Sequence, residues 1–228
     1  MADLNIPDNQ ETPEDPTAAA EAVRSASILA VFVIFFTLAL AFVYFLTKPA
    51  IDASAAEEKM RSIGEVLPTA FYDNDLLTDT LELPAVAELG LDDVSTVYRA
   101  RKAGQPSALV VEAVAPDGYA GKIRMLVAIA ANGDLIGVRI TLHKETPGLG
   151  DYIEPKKDKN KDRPWITQFK GLSLVQVSDA DWKVKKDGGR FDYVAGATVT
   201  PRAVVKAVHK ALKYADANRE QLFARSAK

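Results

Sequence analysis

The sequence predicts an α+β protein: one N-terminal transmembrane helix, then an antiparallel-sheet domain with a C-terminal helix. Three observations carry that expectation. Ile28 to Leu46 is a run of nineteen residues without a charge. Four alternating, mostly valine-rich runs lie between Ser95 and Leu142, the last two joined by Asn132-Gly133. From Pro201 to about Ala217, the apolar residues Val204, Val208, Ala211 and Ala215 recur at intervals of three and four, with Lys206 and Lys210 off that face.

Taken in order, residues 1–24 hold six acids against one base, Arg24, with Pro7, Pro13 and Pro16 among them, and read as a disordered tail. The apolar run makes a helix of about 28 Å, close to the hydrocarbon thickness of a bilayer. Arg24 and Lys48 bracket it, and Tyr44 sits where an interfacial aromatic belongs. Ala53-Ser54-Ala55 has the small-x-small form of a signal-peptide cleavage site. The run is longer than the usual h-region of about 7–15 residues, and a long acidic stretch precedes it, so it reads as an uncleaved anchor. One arginine before the span against Lys48, Lys59 and Arg61 after it leans weakly towards a cytoplasmic main domain.

Ala53 to Val66 reads as a helical stretch ended by Pro68. Strands are expected over Ser95–Ala103, Ser107–Ala115, Lys122–Ala131 and Leu135–Leu142, with Asn132-Gly133 as a hairpin turn. Lys156 to Arg163 is a solvated charged insertion, followed by a short structured part around Trp165–Leu174 and Trp182–Lys186.

Composition excludes several chemistries. Beyond residue 24 the chain holds 27 bases and 25 acids, which is no nucleic-acid footprint. With no cysteine there can be no disulfide, thiolate-ligated cluster or cysteine nucleophile. Two histidines, His143 and His209, argue against a histidine-rich metal site or a haem pair. Neither Gly-x-Ser-x-Gly nor His-Glu-x-x-His occurs. Redox chemistry here requires an organic cofactor.

Two glycine-bearing loops stand out. His143 to Gly150 follows a strand, and Pro147-Gly148 fits the centre of a type II turn. A plain surface turn satisfies that pattern. So does a ligand loop, in which Leu149 between two glycines, beside Glu145 and Thr146, offers an apolar tip and backbone donors to a flat ligand. In Asp192 to Pro201, Thr200 before Pro201 reads as a helix N-cap, which places Thr198 about two residues before a helix N-terminus. Such an end favours a phosphate, and Ala195, Gly196 and Ala197 leave Thr198 unshielded. An ordinary capping threonine fits equally well. His143 reads as structural and His209 as solvated. Lys185-Lys186 before Asp187-Gly188-Gly189 is an anion contact or a plain turn with a charged rim.

Several stretches resemble the G subunit of the Rnf electron transport complex, and more distantly the C subunit of the sodium-translocating NADH:quinone oxidoreductase. They are His143-x-Glu145-Thr146-Pro147-Gly148-Leu149-Gly150-Asp151, Trp165-Ile166-Thr167-x-Phe169, Trp182-x-Val184-Lys185-Lys186-Asp187-Gly188-Gly189 and Gly196-Ala197-Thr198-x-Thr200-Pro201-Arg202. Ala115 to Tyr119 also fits, and the likeness covers about residues 25 to 215.

The resemblance implies flavin mononucleotide (FMN) bound covalently as a phosphoester to Thr198, within a pattern Asp-x-x-Ser/Thr-Gly-Ala-Thr that a periplasmic flavin transferase reads using FAD. Asp192 is then the recognition residue, and Ala195 departs from the usual Ser or Thr. Glu145, Thr146, Gly148, Leu149, Gly150, Gly196, Ala197, Thr200 and Lys185 are the implied cofactor contacts. The implied organisation is a cytoplasmic tail over 1–24, a span over 25–48 in a bacterial inner membrane and a helical connector over 49–94. A periplasmic FMN-binding domain follows over 95–217, with a C-terminal tail over 218–228. The implied role is relaying electrons, with other membrane and peripheral subunits, in a complex coupling ferredoxin/NAD exchange to ion translocation. The quinone oxidoreductase subunit, a non-redox anchored module for a phosphorylated ligand and an assembly subunit without flavin are the alternatives.

Overall fold

The computed structural model describes residues 17–224, and the chain divides into two compact units between Ser54 and Ala55. The expected tail lies outside the described residues as far as residue 16. Helix α1 (Thr17–Gly64) begins inside that stretch, because Ala18-Ala19-Ala20-Glu21-Ala22 is a run of strong helix formers.

Helix α1 is long and apolar enough to cross a membrane. Its large apolar side chains face outward, with Phe32, Phe36 and Leu46 all more than half exposed. Ser27 and Thr47 donate their hydroxyls to the carbonyls of Val23 and Val43, each at 2.8 Å, so neither seeks a partner outside the helix. Lys48 lies 5.8 Å from the Tyr44 ring.

The second unit is built on a five-stranded antiparallel meander in the order β1-β2-β3-β4-β5. The strands are β1 (Thr80–Leu83), β2 (Ser95–Lys102), β3 (Gln105–Gly118), β4 (Gly121–Ala130) and β5 (Leu135–Leu142). Alternation in β3 sorts side chains to two faces. Leu109, Val111, Ala113 and Ala115 join the larger core, where Val111 pairs with Val127 and Ala113 with Met125. Ala108 and Val110 face a second core with Ile63, Val66, Leu67 and Leu76. Helix α2 (Val199–Ala217) covers the larger core with Val204, Val208, Ala211 and Ala215, leaving Lys206 and Lys210 exposed.

Two expectations change. The stretch 49–94, read as a helical connector, contains β1, a four-residue edge strand bonded only to β2. Part of the expected C-terminal tail is α3 (Arg219–Phe223), anchored by the fully buried Leu222. Residues 225–228 lie outside the described residues. The carbonyl end of α3 is held by two arginines: Arg99 bonds the Ala224 carbonyl, and Arg101 bonds that of Phe223 at 3.0 Å. Both arginines are buried and share Asp79, at 2.7 and 2.6 Å.

Candidate functional site

Three chain segments meet at one cleft in the second unit. The β3–β4 hairpin supplies Tyr119, the loop after β5 supplies Glu145, Thr146, Leu149 and Gly150, and the start of α2 supplies Gly196 to Thr200. The cleft holds a cavity of about 110 Å³ and opens to solvent.

The first glycine loop is shaped by its own hydrogen bonds. Leu149 N–H donates to the Thr146 carbonyl at 3.1 Å, closing a turn with Pro147 and Gly148 at its centre. Gly148 has φ 73°, the left-handed value that a type II turn requires there. Its N–H donates to the Asp151 carboxylate at 2.8 Å. Leu149 is left partly exposed at the tip. At the strand end, the buried His143 ring accepts the Glu145 N–H on Nδ1 at 3.0 Å and meets Glu154 through Nε2 at 2.5 Å. Burial works to raise the Glu154 carboxyl, but hydrogen bonds from Lys157 and His143 outweigh it and hold the pKa below its ordinary value. His143 is thus a structural tie.

Glu145 joins all three segments. It is buried, at 4% exposure, and one carboxylate oxygen accepts the Ala120 N–H of the hairpin at 3.1 Å. The other accepts the Thr200 hydroxyl. Gly150 is needed beside them, since a Cβ there would lie 2.9 Å from both Glu145 Oε2 and Thr200 Oγ1. The missing side chain at Gly150 thus lets the backbone pack against the chain's own Glu145 and Thr200.

The second loop departs from expectation at its helix start. Thr200 is not the N-cap. Helix α2 begins at Val199, and Thr198 holds the N-cap position with φ −83° and ψ −25°. The cause is non-local, because the Thr200 hydroxyl is committed to Glu145 and Thr200 falls inside the first turn. Thr198 makes no side-chain capping bond. It is buried rather than unshielded, at 8% exposure, but it forms part of the cleft wall. The N–H groups of Val199 and Thr200 open the helix, and proline at the next position has none to offer.

Of the residues singled out in the sequence, Glu145, Thr146, Leu149, Gly150, Gly196, Ala197, Thr198 and Thr200 line this cleft. Gly148 shapes the loop without lining it. Lys185 and Asp192 stand outside the lining and pair with each other, both more than half exposed. Sequence reasoning passed over Tyr119 and Val199 as lining residues. A two-residue turn between Gly118 and Gly121 was the available signal for Tyr119.

His209 is not solvated. It stacks on Trp182 at 4.9 Å and bonds Asp179 at 3.0 Å. Burial holds its pKa below the ordinary value. Tyr152, behind the cleft, has its phenol within 3.5 Å of the Ala197 carbonyl. Burial, with the nearby Asp158 and Glu145 carboxylates, pushes it up to about 12, so it stays a neutral donor.

The residues present suit a phosphate-bearing aromatic ligand: apolar walls from Tyr119, Leu149 and Val199, a helix N-terminus, and a threonine hydroxyl not used as a cap. Comparison with known proteins agrees. Residues 118–213 match the FMN-binding domain family, and residues 19–66 match the RnfG N-terminal region. A protein of Pseudomonas aeruginosa (strain UCBPP-PA14), named as the G subunit of an ion-translocating oxidoreductase complex, is 48% identical over 210 residues, covering 92% of this chain and 96% of the relative. Proteins of the same name from Shewanella loihica and Vibrio cholerae serotype O1 (strain M66-2) are 41% and 40% identical, over 90% and 87% of this chain and 94% and 92% of the relatives.

Proposed function

The chain belongs to the family of G subunits of ion-translocating oxidoreductase complexes, and on that footing we propose that it carries electrons on an FMN joined through its phosphate to Thr198. One observation carries the attachment site: two loops some fifty residues apart close on a single cleft whose wall contains a threonine hydroxyl that caps nothing. In the attachment step Thr198 Oγ1 attacks the flavin-side phosphorus of FAD and the pyrophosphate bond breaks. AMP leaves, the hydroxyl proton passes to the transferase or solvent, and no electrons move.

Held there, the flavin supplies the one- and two-electron redox chemistry. The chain's residues fix its position and exclude water. The N–H groups of Val199 and Thr200 would hold the phosphate, while Leu149 and Tyr119 would offer apolar surface to the ring system. Glu145 locks the two loops together through Thr200. The match over residues 19–66, which contains the apolar span, supports an anchored subunit in a multi-subunit complex. In this reading the flavin domain is periplasmic, α1 crosses the inner membrane, and a flavin transferase reads the loop from Asp192. The complex exchanges electrons between ferredoxin and NAD and couples them to ion movement.

The test is denaturing electrophoresis under ultraviolet light on the chain co-expressed with a flavin transferase. A fluorescent band that Thr198→Ala abolishes is the expected result. A dark wild-type band, with the transferase active on another acceptor, would refute the covalent assignment.

A further inference from the structure

Asp192 to Gly196 are five consecutive exposed residues, yet the segment is tied to the domain at Asp192 and closed by a turn at its far end. Asp192 is held on both sides. Its N–H donates to Gln168 Oε1 at 2.8 Å, and its carbonyl accepts Trp165 Nε1–H at 2.7 Å. At the far end the Ala197 N–H donates to the Val194 carbonyl at 3.1 Å, ahead of Thr198.

The two holding side chains are themselves fixed. Gln168 Nε2 donates to the Trp165 carbonyl at 3.0 Å. The Trp165 ring packs edge-on against Tyr152 and Phe169, at 5.7 and 5.5 Å. The Trp165 backbone N–H donates to Asp158 at 2.5 Å, and the other oxygen of that carboxylate accepts the Asn160 N–H at 2.9 Å. Asp158 is buried although it belongs to the charged stretch Lys156–Arg163. A chain of contacts therefore runs from that insertion through Asp158, Trp165 and Gln168 to the loop that ends at Thr198.

We propose that Gln168 and Trp165, buttressed by Asp158, are positioning residues for flavin attachment: they hold the Asp192–Thr198 segment in the shape a flavin transferase must grip. This rests on the reading of Thr198 as the acceptor. With the backbone of Asp192 fixed in advance, little ordering is left for the encounter with the transferase. Without these bonds that ordering falls on the binding step and weakens it.

The experiment uses the full-length apo chain in detergent, purified flavin transferase and FAD, with covalent fluorescence followed against acceptor concentration. Gln168→Met removes both hydrogen bonds at nearly constant volume from a half-buried site. Its kcat/KM as an acceptor should fall about five- to tenfold, the loss of a hydrogen bond or two. The fall should appear in KM with kcat held, at a temperature where the variant is fully folded, a split that general loosening of the fold does not give. Trp165→Phe, which keeps the aromatic packing and removes the Nε1–H, should fall in the same way. Wild-type kcat/KM in folded Gln168→Met, or a loss confined to kcat, overturns the proposal while leaving Thr198 as acceptor. No label on the wild type, with the transferase loading another acceptor, overturns both.

Discussion

Buried ionisable side chains are held in opposite ways at two places in the folded domain. Around Asp79, two buried arginines share one carboxylate and send their remaining donors to the carbonyls of Thr80, Phe223 and Ala224. Around Glu145, the buried carboxylate accepts from the neutral Ala120 N–H and Thr200 hydroxyl, and among the described residues no arginine or lysine pairs with it. The first arrangement ties a chain end to the edge of the sheet. The second ties two loops together with no basic side chain, among the described residues, paired with the carboxylate in the cleft wall. In the proposed reading the contrast separates a cluster serving stability from one serving a site, and each half can be broken alone.

The largest effect is expected at the arginine cluster. Arg99→Met leaves Asp79 with Arg101 alone and strips a donor from the carbonyls of Thr80 and Ala224, so stability should fall, at about 1–3 kcal/mol for each buried group left unpaired. Denaturant unfolding measures the loss. Below the transition, flavin attachment at Thr198 should proceed at the wild-type rate, because the cleft shares no residue with this cluster.

Gly150→Ala tests the other half. Its Cβ would lie 2.9 Å from both Glu145 Oε2 and Thr200 Oγ1 and 3.2 Å from Glu145 Cβ, so one of the two loops must shift. Overpacking of this kind costs about 1–3 kcal/mol. Flavin fluorescence per chain should drop by more than the change in unfolding midpoint explains. Equal losses in both would mean that Glu145 and Thr200 serve stability alone.

The same contrast explains what the sequence could show. Strands β2 to β5 were legible because each alternates and packs on a core, and Asn132-Gly133 marks its own turn. Strand β1 was not, since Thr80–Leu83 is short, has one neighbour and offers only two alternating pairs. Both cleft loops were visible as glycine patterns, but the bond between them was not, because Glu145 and Thr200 are 55 residues apart. That single contact moved the start of α2 from the expected cap at Thr200. The stacking of His209 on Trp182 was hidden for the same reason, as periodicity assigns a residue to a face without saying what covers it.

A smaller effect should appear at alkaline pH behind the second loop. The Tyr152 phenol is pushed from 10.0 up to about 12, first by burial and then by Asp158 and Glu145. The folded chain keeps this proton where the unfolded chain has begun to lose it. The stabilisation is therefore complete below pH 10 and is lost as pH rises from 10 towards 12. Tyr152→Phe should remove that part of the alkaline loss in unfolding midpoints. A weaker slope in the same direction should persist from Tyr214, which burial and then Glu88 also raise. An unchanged slope in Tyr152→Phe would place the alkaline sensitivity elsewhere.

The smallest effect is expected at Lys185, where the resemblance implied a cofactor contact and the structure shows a pair with Asp192. Both side chains are more than half exposed, and exposed pairs of this kind contribute roughly 0.2–1 kcal/mol. Lys185→Met should leave stability within about 1 kcal/mol of wild type. Attachment should slow by about threefold or less, because the Asp192 backbone is still held by Gln168 and Trp165. The comparison with Gln168→Met is the informative one. If Lys185→Met proves the more damaging, the Asp192 side chain and its charge matter more than the fixed backbone. If Gln168→Met does, the transferase is reading a shape that side chains of the Trp165–Phe169 turn hold in place.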